Sequence, residues 1–204
     1  MDVGVLAVQG DFREHRAKLQ RLGAHVAEVR LPEHLHGLDG LVIPGGESTT
    51  IGKLMRAYGL DDALRSFEGT VFGTCAGMIL LARDVIDGVP DQLAFGTLDI
   101  VVRRNGYGRQ VASFETDVTL VGDPVPLRGV FIRAPRIEEV AAGVEVLAEL
   151  DDDAVLVRRG RYLAASFHPE LTDDLRVHEM FLASVGRSRS AGLHASNGGL
   201  RVRA

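Results

Sequence analysis

The sequence predicts an α/β fold: a single-domain, three-layer sandwich with a mainly parallel central sheet. Three observations carry this reading. Short apolar runs that end in glycine or proline alternate with amphipathic stretches through the first half of the chain, the order that places helices on both faces of a parallel sheet. The 204 residues suffice for one well-buried core and are few for two. Apolar residues make up 46% and charged residues 25%, the balance of a globular domain rather than a disordered or membrane-spanning chain.

Element by element, Val3–Val8 is apolar on both faces and halts at Gly10, as a buried parallel strand should. Residues 11–22 carry Phe12, His15, Leu19 and Leu22 at helical steps, and Gly23 suits the position just past a helix end. Residues 24–31 form a second expected strand, and 41–43 a third, stopped by Pro44-Gly45-Gly46. Two helical stretches, 50–58 and 61–67, are split by Gly59; a short strand over 71–73 then runs almost directly into a helix over 76–83. The texture changes after Gly88. Residues 96–121, 129–133, 144–150, 154–158 and 162–167 read as strands separated by turns, and a last amphipathic helix spans about 173–185. The domain is placed at 1–186. The Ser-, Gly- and Arg-rich composition of 187–204 favours a flexible C-terminal tail.

Composition narrows the function. The net charge of −5 provides no global basic field for nucleic acid, although Arg187, Arg189, Arg201 and Arg203 stand in the tail without an acid. A single cysteine permits no internal disulfide, which fits a reducing, cytoplasmic setting. The N-terminus lacks the basic segment and cleavage site of a signal peptide, and no apolar run approaches the roughly 20 residues needed to span a bilayer.

The strongest chemical signal is Gly73-Thr-Cys75-Ala-Gly77, a G-x-C-x-G between an expected strand and helix. This is a nucleophile elbow with cysteine in place of serine. The turn is so tight that side chains two residues either side of the nucleophile would collide, hence the glycines. The following helix supplies unpaired N–H groups, of which that of Ala76 is placed to stabilise an oxyanion, and a dipole that favours thiolate. Two other readings stand beside this one. A lone cysteine in apolar surroundings is commonly inert, and the elbow alone also fits other cysteine proteins on a similar sheet.

Seven histidines compete for the role of base. His168 follows an apolar strand in Ser166-Phe-His168-Pro-Glu170, and in extended chain residues two apart point the same way. Glu170 can therefore fix the imidazole tautomer and leave the other nitrogen for the thiol proton. A structural His–Glu pair is the alternative on local sequence; the elbow cysteine upstream tips the choice to catalysis. His34 and His36 lack a further ligand at metal spacing, and His15, His25, His178 and His194 show no comparable setting.

The third strand leads into Gly45-Gly46-Glu47-Ser48-Thr49. Paired glycines allow backbone N–H groups to face a ligand, as a second oxyanion donor and substrate cradle; a plain turn with a helix N-cap is the alternative. A phosphate loop is excluded, because Glu47 stands where its first glycine belongs and Leu54 where its Ser or Thr belongs.

These motifs occur together with residues 4–15 (Gly4 through Gln9-Gly-Asp-Phe to His15), Pro44-Gly-Gly-Glu-Ser-Thr-Thr-Ile51, Arg104-Asn-Gly-Tyr-Gly-Arg-Gln110, Phe131-Ile-Arg-Ala-Pro135 and Phe167-His-Pro-Glu170. In that order, from Val3 to about Val185, the chain resembles the class I (triad) glutamine amidotransferases. It is most similar to the branch that forms glutaminase subunits of pyridoxal 5′-phosphate synthases. The resemblance implies a flavodoxin-like class I amidotransferase fold and a catalytic triad of Cys75, His168 and Glu170. It also implies oxyanion donors at the Gly46 and Ala76 backbone, and glutamine-binding residues Gly46, Glu47, Ser48, Arg104, Ile132 and Arg133. An arginine fork suits the α-carboxylate of glutamine, and Glu47 or a backbone carbonyl suits its α-ammonium; on local sequence alone both arginines read as exposed salt bridges. No cofactor, metal, nucleic acid or membrane is implied. The implied partner is the synthase subunit that accepts the ammonia, in a large hetero-oligomeric complex, and docking of that partner activates an otherwise weak glutaminase.

Overall fold

The computed structural model describes residues 1–107 and 113–196, with side chains described as far as Ser188. The first half alternates as expected: β1 (Asp2–Leu6), α1 (Phe12–Arg21), β2 (His25–Val29), β3 (Gly40–Ile43), α2 (Ser48–Ala57), α3 (Leu60–Arg65), β4 (Thr70–Thr74) and α4 (Ala76–Leu81). Then come β5 (Ala82–Ile86), β6 (Leu98–Arg103), β7 (Ser113–Leu120), β8 (Leu127–Ile132), β9 (Arg136–Val140), β10 (Glu145–Leu150), β11 (Asp153–Arg159), β12 (Tyr162–Ala165) and α5 (Arg176–Ser196).

The main sheet has nine strands in the order β2-β1-β3-β4-β12-β11-β10-β7-β8. Its first five strands are parallel; the remaining pairings are antiparallel. The expected mainly parallel sheet is therefore corrected to a mixed one. The physical reason is loop length. Parallel neighbours need a crossover, whereas the turns at Asp151 and Gly160 are short and left-handed (φ 53° and 55°) and can join only antiparallel strands. A smaller sheet, β5-β6-β9, packs beside it.

Alternation along the parallel strands builds the layers. Val3, Val5, Val42 and Phe72 point to one face and pack with Leu19 of α1 and Val177, Phe181 and Val185 of α5. Leu6, Leu41, Ile43 and Val71 point to the other and pack with α2, α3, α4 and the small sheet. The three layers of the expected sandwich are thus present in the parallel half. No helix is long and apolar enough to cross a membrane among the described residues. The last helix runs to Ser196, into the segment expected as a flexible tail; residues 197–204 lie outside the described residues, as do Gly108, Arg109 and Gln110 of the quoted motif.

The strand order β2-β1-β3-β4-β12 sets the location of chemistry. In such a sheet the loops at the carboxyl ends of the strands converge on one edge. Here these are Gln9–Asp11 after β1, Gly45–Glu47 after β3, Cys75 after β4 and His168 after β12.

Candidate active site

Cys75 lies in a strained turn. Its φ of 48° is in the left-handed region, it caps α4 from the end of β4, and it is buried. The strain has a visible cause. A Cβ on Gly73 would come within 2.5–2.6 Å of the Gly77 carbonyl group, and one on Gly77 would strike the Ile43 carbonyl oxygen, so strand and helix meet with no room for side chains at either position. The turn is held by the Cys75 N–H donating to the Ala165 oxygen at 2.8 Å and the Ile79 N–H donating to the Cys75 oxygen at 3.2 Å. Ala76 opens α4, where the leading N–H groups of a helix have no intrahelical acceptor.

Parallel pairing of β12 with β4 aligns Ala165 with Thr74, which carries the chain after β12 past the elbow. His168 follows, buried, with its N–H donating to the Val130 oxygen at 2.8 Å. Its Nδ1 lies 2.7 Å from Glu170 Oε1, and Glu170 is itself buried. A turn of 3-10 helix at Pro169–Leu171 bends the chain so that the carboxylate returns to the ring. Nδ1–H donates to the carboxylate, and Nε2 makes no hydrogen bond among the described residues. Burial opposes protonation of His168. Interaction with the Cys75 sulfur and the Glu170 carboxylate outweighs burial and lifts the imidazole pKa to about 10. For Glu170, burial raises the pKa while the bond to His168 works against the rise. The Cys75 Sγ also lies 3.9 Å from the Ile132 oxygen, a weak contact that seats it against the end of β8.

The residues expected to bind substrate meet in one cleft. Gly46, Glu47, Ser48, Arg104, Ile132 and Arg133 all line it, together with Cys75. Ile79 and Asn105, which sequence reasoning did not single out, line it too. Glu47 caps α2, as the N-cap reading of this loop expects. Its carboxylate accepts from the Thr49 N–H at 3.1 Å, the Thr50 N–H at 2.7 Å and both threonine hydroxyls. Burial pushes Glu47 upward, but these donors prevail and hold its pKa at about 2, so it is an anion at neutral pH. Arg104 Nη2 lies 3.2 Å from the same carboxylate. The Ser48 hydroxyl is buried at the cleft without a hydrogen-bond partner among the described residues. Five non-glycine residues have positive φ among the described residues; three of them, Cys75, Asn105 and Arg133, line this cleft. Such strain concentrates at functional sites.

Several further contacts surround the triad. Gln9 Oε1 accepts the Glu47 N–H at 2.9 Å and tethers the glycine loop to the end of β1. Asp11 Oδ2 lies 3.6 Å from His168 Nδ1. Asp11, His168 and Glu170 bring ligand-type atoms within 4.8 Å of one another, but Nδ1 already donates to Glu170, so the grouping reads as hydrogen-bonded. His15 and His178, set aside in the sequence as lacking a setting, are both fully buried behind Glu170. Their only sequence signal is position: His15 sits on the apolar face of α1 with Leu19, and His178 on that of α5 with Phe181.

A family model described as the SNO glutamine amidotransferase family matches residues 5–187. Pyridoxal 5'-phosphate synthase subunit PdxT from a strain of Thermus thermophilus is 57% identical over 188 residues, covering 90% of this chain and 97% of its own. The protein of the same name from Parafrankia sp. is 57% identical over 187 residues, covering 90% and 92%. A solved glutamine amidotransferase superposes with a TM-score of 0.84 at 54% identity, over 90% of this chain and 98% of its own. A putative GMP synthase subunit from Thermoplasma acidophilum, at 16% identity and a TM-score of 0.68 over 96% and 98%, shares the fold.

Proposed function

The chain belongs to the SNO glutamine amidotransferase family, and on that premise we propose that it is the glutaminase subunit of a pyridoxal 5′-phosphate synthase. It hydrolyses L-glutamine to L-glutamate and ammonia and passes the ammonia to the synthase subunit. The observation that carries the reading is the buried His168, bound through Nδ1 to Glu170 and with no hydrogen bond on Nε2 among the described residues, beside a strained cysteine on the wall of an acid- and arginine-lined cleft.

In this reading Cys75 is the nucleophile, His168 the acid and base, and Glu170 the group that fixes the ring. Cys75 gives its proton to His168 Nε2, and the raised His168 pKa suits the ring to hold it. The thiolate attacks the side-chain amide carbon. The resulting oxyanion is held by the backbone N–H groups of Gly46 and Ala76, and one donor of this kind contributes roughly 3–4 kcal/mol. His168 gives its proton to the nitrogen, the C–N bond breaks, and ammonia leaves a thioester on Cys75. His168, now neutral, takes a proton from water, whose oxygen displaces the thiolate and releases glutamate. The proton on Nε2 and the thiolate are thereby restored.

Substrate is held by the cleft. Arg104 takes the α-carboxylate, Glu47 the α-ammonium, and Gly46, Ser48, Ile132 and Arg133 complete the walls. Arg104 and Glu47 contact one another, so glutamine inserts between two opposite charges that are already neighbours. On this reading the amidotransferase domain spans 1–186.

Ammonia released into water near neutral pH would be protonated and lose its nucleophilicity, so direct transfer to the synthase subunit, within a large hetero-oligomeric complex in the cytoplasm, is the useful arrangement. The Gln9 bond to the Glu47 N–H is the tether through which docking would reset the oxyanion loop. The test is glutamine hydrolysis with and without the synthase subunit. A several-fold rise on its addition, abolished in Cys75→Ser with the fold intact, is expected. Glutaminase activity retained by Cys75→Ser overturns the nucleophile assignment, and indifference to the subunit overturns the partner.

A further inference from the structure

A run of buried polar side chains extends behind the triad and is not used by the mechanism above. His15 Nε2 faces two oxygens, Thr74 Oγ1 at 3.1 Å and Glu170 Oε2 at 3.2 Å. Only the first has hydrogen-bond geometry; Glu170 Oε2 has no hydrogen-bond partner among the described residues, and His15 Nε2 at 3.2 Å is a polar contact with it. On the far side of the ring, His15 Nδ1 lies 3.0 Å from His178 Nε2, and His178 Nδ1 is buried without a partner among the described residues. Phe72 stands edge-on to both rings, at centroid distances of 6.1 and 6.2 Å, and packs with them in a buried region between α1, α5 and β4.

The protons in this run can be assigned. Burial, followed by the nearby His178 and His168, depresses the His15 pKa well below its ordinary value. Burial, followed by Lys18, brings His178 to about 4. Both rings are therefore neutral at physiological pH, each carrying one proton. With that proton on His15 Nδ1, the Nε2 lone pair would face the Glu170 carboxylate at 3.2 Å, and the His178 proton would be forced onto Nδ1, a buried donor with nothing to receive it. With both protons on Nε2, His178 donates to His15 Nδ1, the His15 N–H lies between Thr74 and Glu170, and the atom left unpaired is an acceptor, the less costly case. Only the second arrangement pairs both imidazole donors.

We infer that His15 is a positioning residue for the glutaminase reaction: as the neutral Nε2–H tautomer, oriented by His178 and hydrogen-bonded to Thr74, it keeps the positive end of its N–H within 3.2 Å of Glu170 Oε2 and so favours an ionised carboxylate aimed at His168. The inference rests on the triad reading. The carboxylate is almost wholly buried, and burial raises its pKa, so every donor or dipole aimed at it favours the ionised form. A protonated Glu170 can no longer stabilise an imidazolium. His15 thus acts on Cys75 only through two intermediaries, in the manner of the outer residues that orient catalytic histidines elsewhere.

The experiment compares His15→Leu, His15→Gln and Glu170→Gln in synthase-stimulated glutamine hydrolysis, with 15N spectra of histidine-labelled wild-type protein. Leucine fills the space without a donor; glutamine can place an N–H near the original Nε2. The expected result is a kcat about tenfold lower in His15→Leu with KM within about twofold, and most of that loss recovered in His15→Gln. The spectra should show His15 and His178 as neutral Nε2–H tautomers. Equal losses in the leucine and glutamine variants, or none in the leucine variant while Glu170→Gln is impaired, overturn the positioning role and leave the triad standing. Full activity in Glu170→Gln overturns the triad reading itself. An Nδ1–H or doubly protonated His15 overturns the proton assignment even if the variants do not fold.

Discussion

Replacing Glu170 by glutamine keeps the size of the side chain and removes its charge. In the wild type, Oε1 accepts from His168 Nδ1 at 2.7 Å in a buried setting, and the carboxylate is one of the two influences that raise the His168 pKa to about 10 against burial. A hydrogen bond to a charged partner contributes about 1.5–3 kcal/mol. If that stabilisation of the imidazolium is lost in full, kcat should fall roughly 10- to 150-fold, since about 1.4 kcal/mol is a factor of ten. The glutamine amide can also present N–H to Nδ1 and select the wrong tautomer, which pushes the effect toward the upper figure. The sign of the pH effect follows. The His168 pKa falls from about 10 toward its ordinary value, so the imidazolium that protonates departing ammonia is lost at lower pH. The assay is steady-state glutamine hydrolysis in the presence of synthase subunit across neutral and alkaline pH. A kcat close to that of the wild type, with an unmoved alkaline limb, would refute the reasoning.

Three other outcomes follow from the same geometry. In the wild type, glutaminase activity should lose its alkaline limb near pH 10 and show no break from His168 near 6.5; for stability, a pKa raised on folding means that the contribution of His168 is fully present below about pH 6.5 and is lost as pH rises through about 10, which pH-dependent thermal melts can check. Gly77→Ala drives a methyl into the Ile43 carbonyl and should lower stability by about 1–3 kcal/mol, seen as a Tm lower by several degrees, with activity falling as the elbow shifts. Glu47→Gln should raise KM for glutamine at least about tenfold while α2 remains folded by circular dichroism, because the amide still offers one acceptor to the Thr49 and Thr50 N–H groups but no charge to an ammonium.

The parallel half of the fold was legible because its strands are buried on both faces and therefore appear as unbroken apolar runs between glycine stops. β5 and β9 were missed for the opposite reason. Arg83 and Asp84 in β5 and Glu138 and Glu139 in β9 face solvent and mask the strand pattern, and β5 continues directly from the apolar run of α4, so the helix was expected to extend to 83. These strands are joined through charges the sequence does not pair: Arg83 with Asp99 and Glu139, and Arg103 with Glu138. The antiparallel character of the second half could have been read from its short turns, which leave no length for a crossover. In the site, Cys75, His168 and Glu170 were legible because each sits at a strand end in a motif with local geometric meaning. His15, His178 and Thr74 were not, because their contacts exist only after α1, α5 and β4 come together; 163 residues separate the two histidines that touch.

The central claim is that Cys75 carries the glutamyl group between loss of ammonia and attack by water. It is tested most directly by mixing the protein and its synthase partner with glutamine, quenching in acid during turnover and mapping the adduct by mass spectrometry. A glutamyl thioester on the peptide containing Cys75, accumulating and decaying at rates compatible with kcat, is predicted. Steady glutamate release with the adduct on another residue, or undiminished release after Cys75 has been alkylated, would contradict the account.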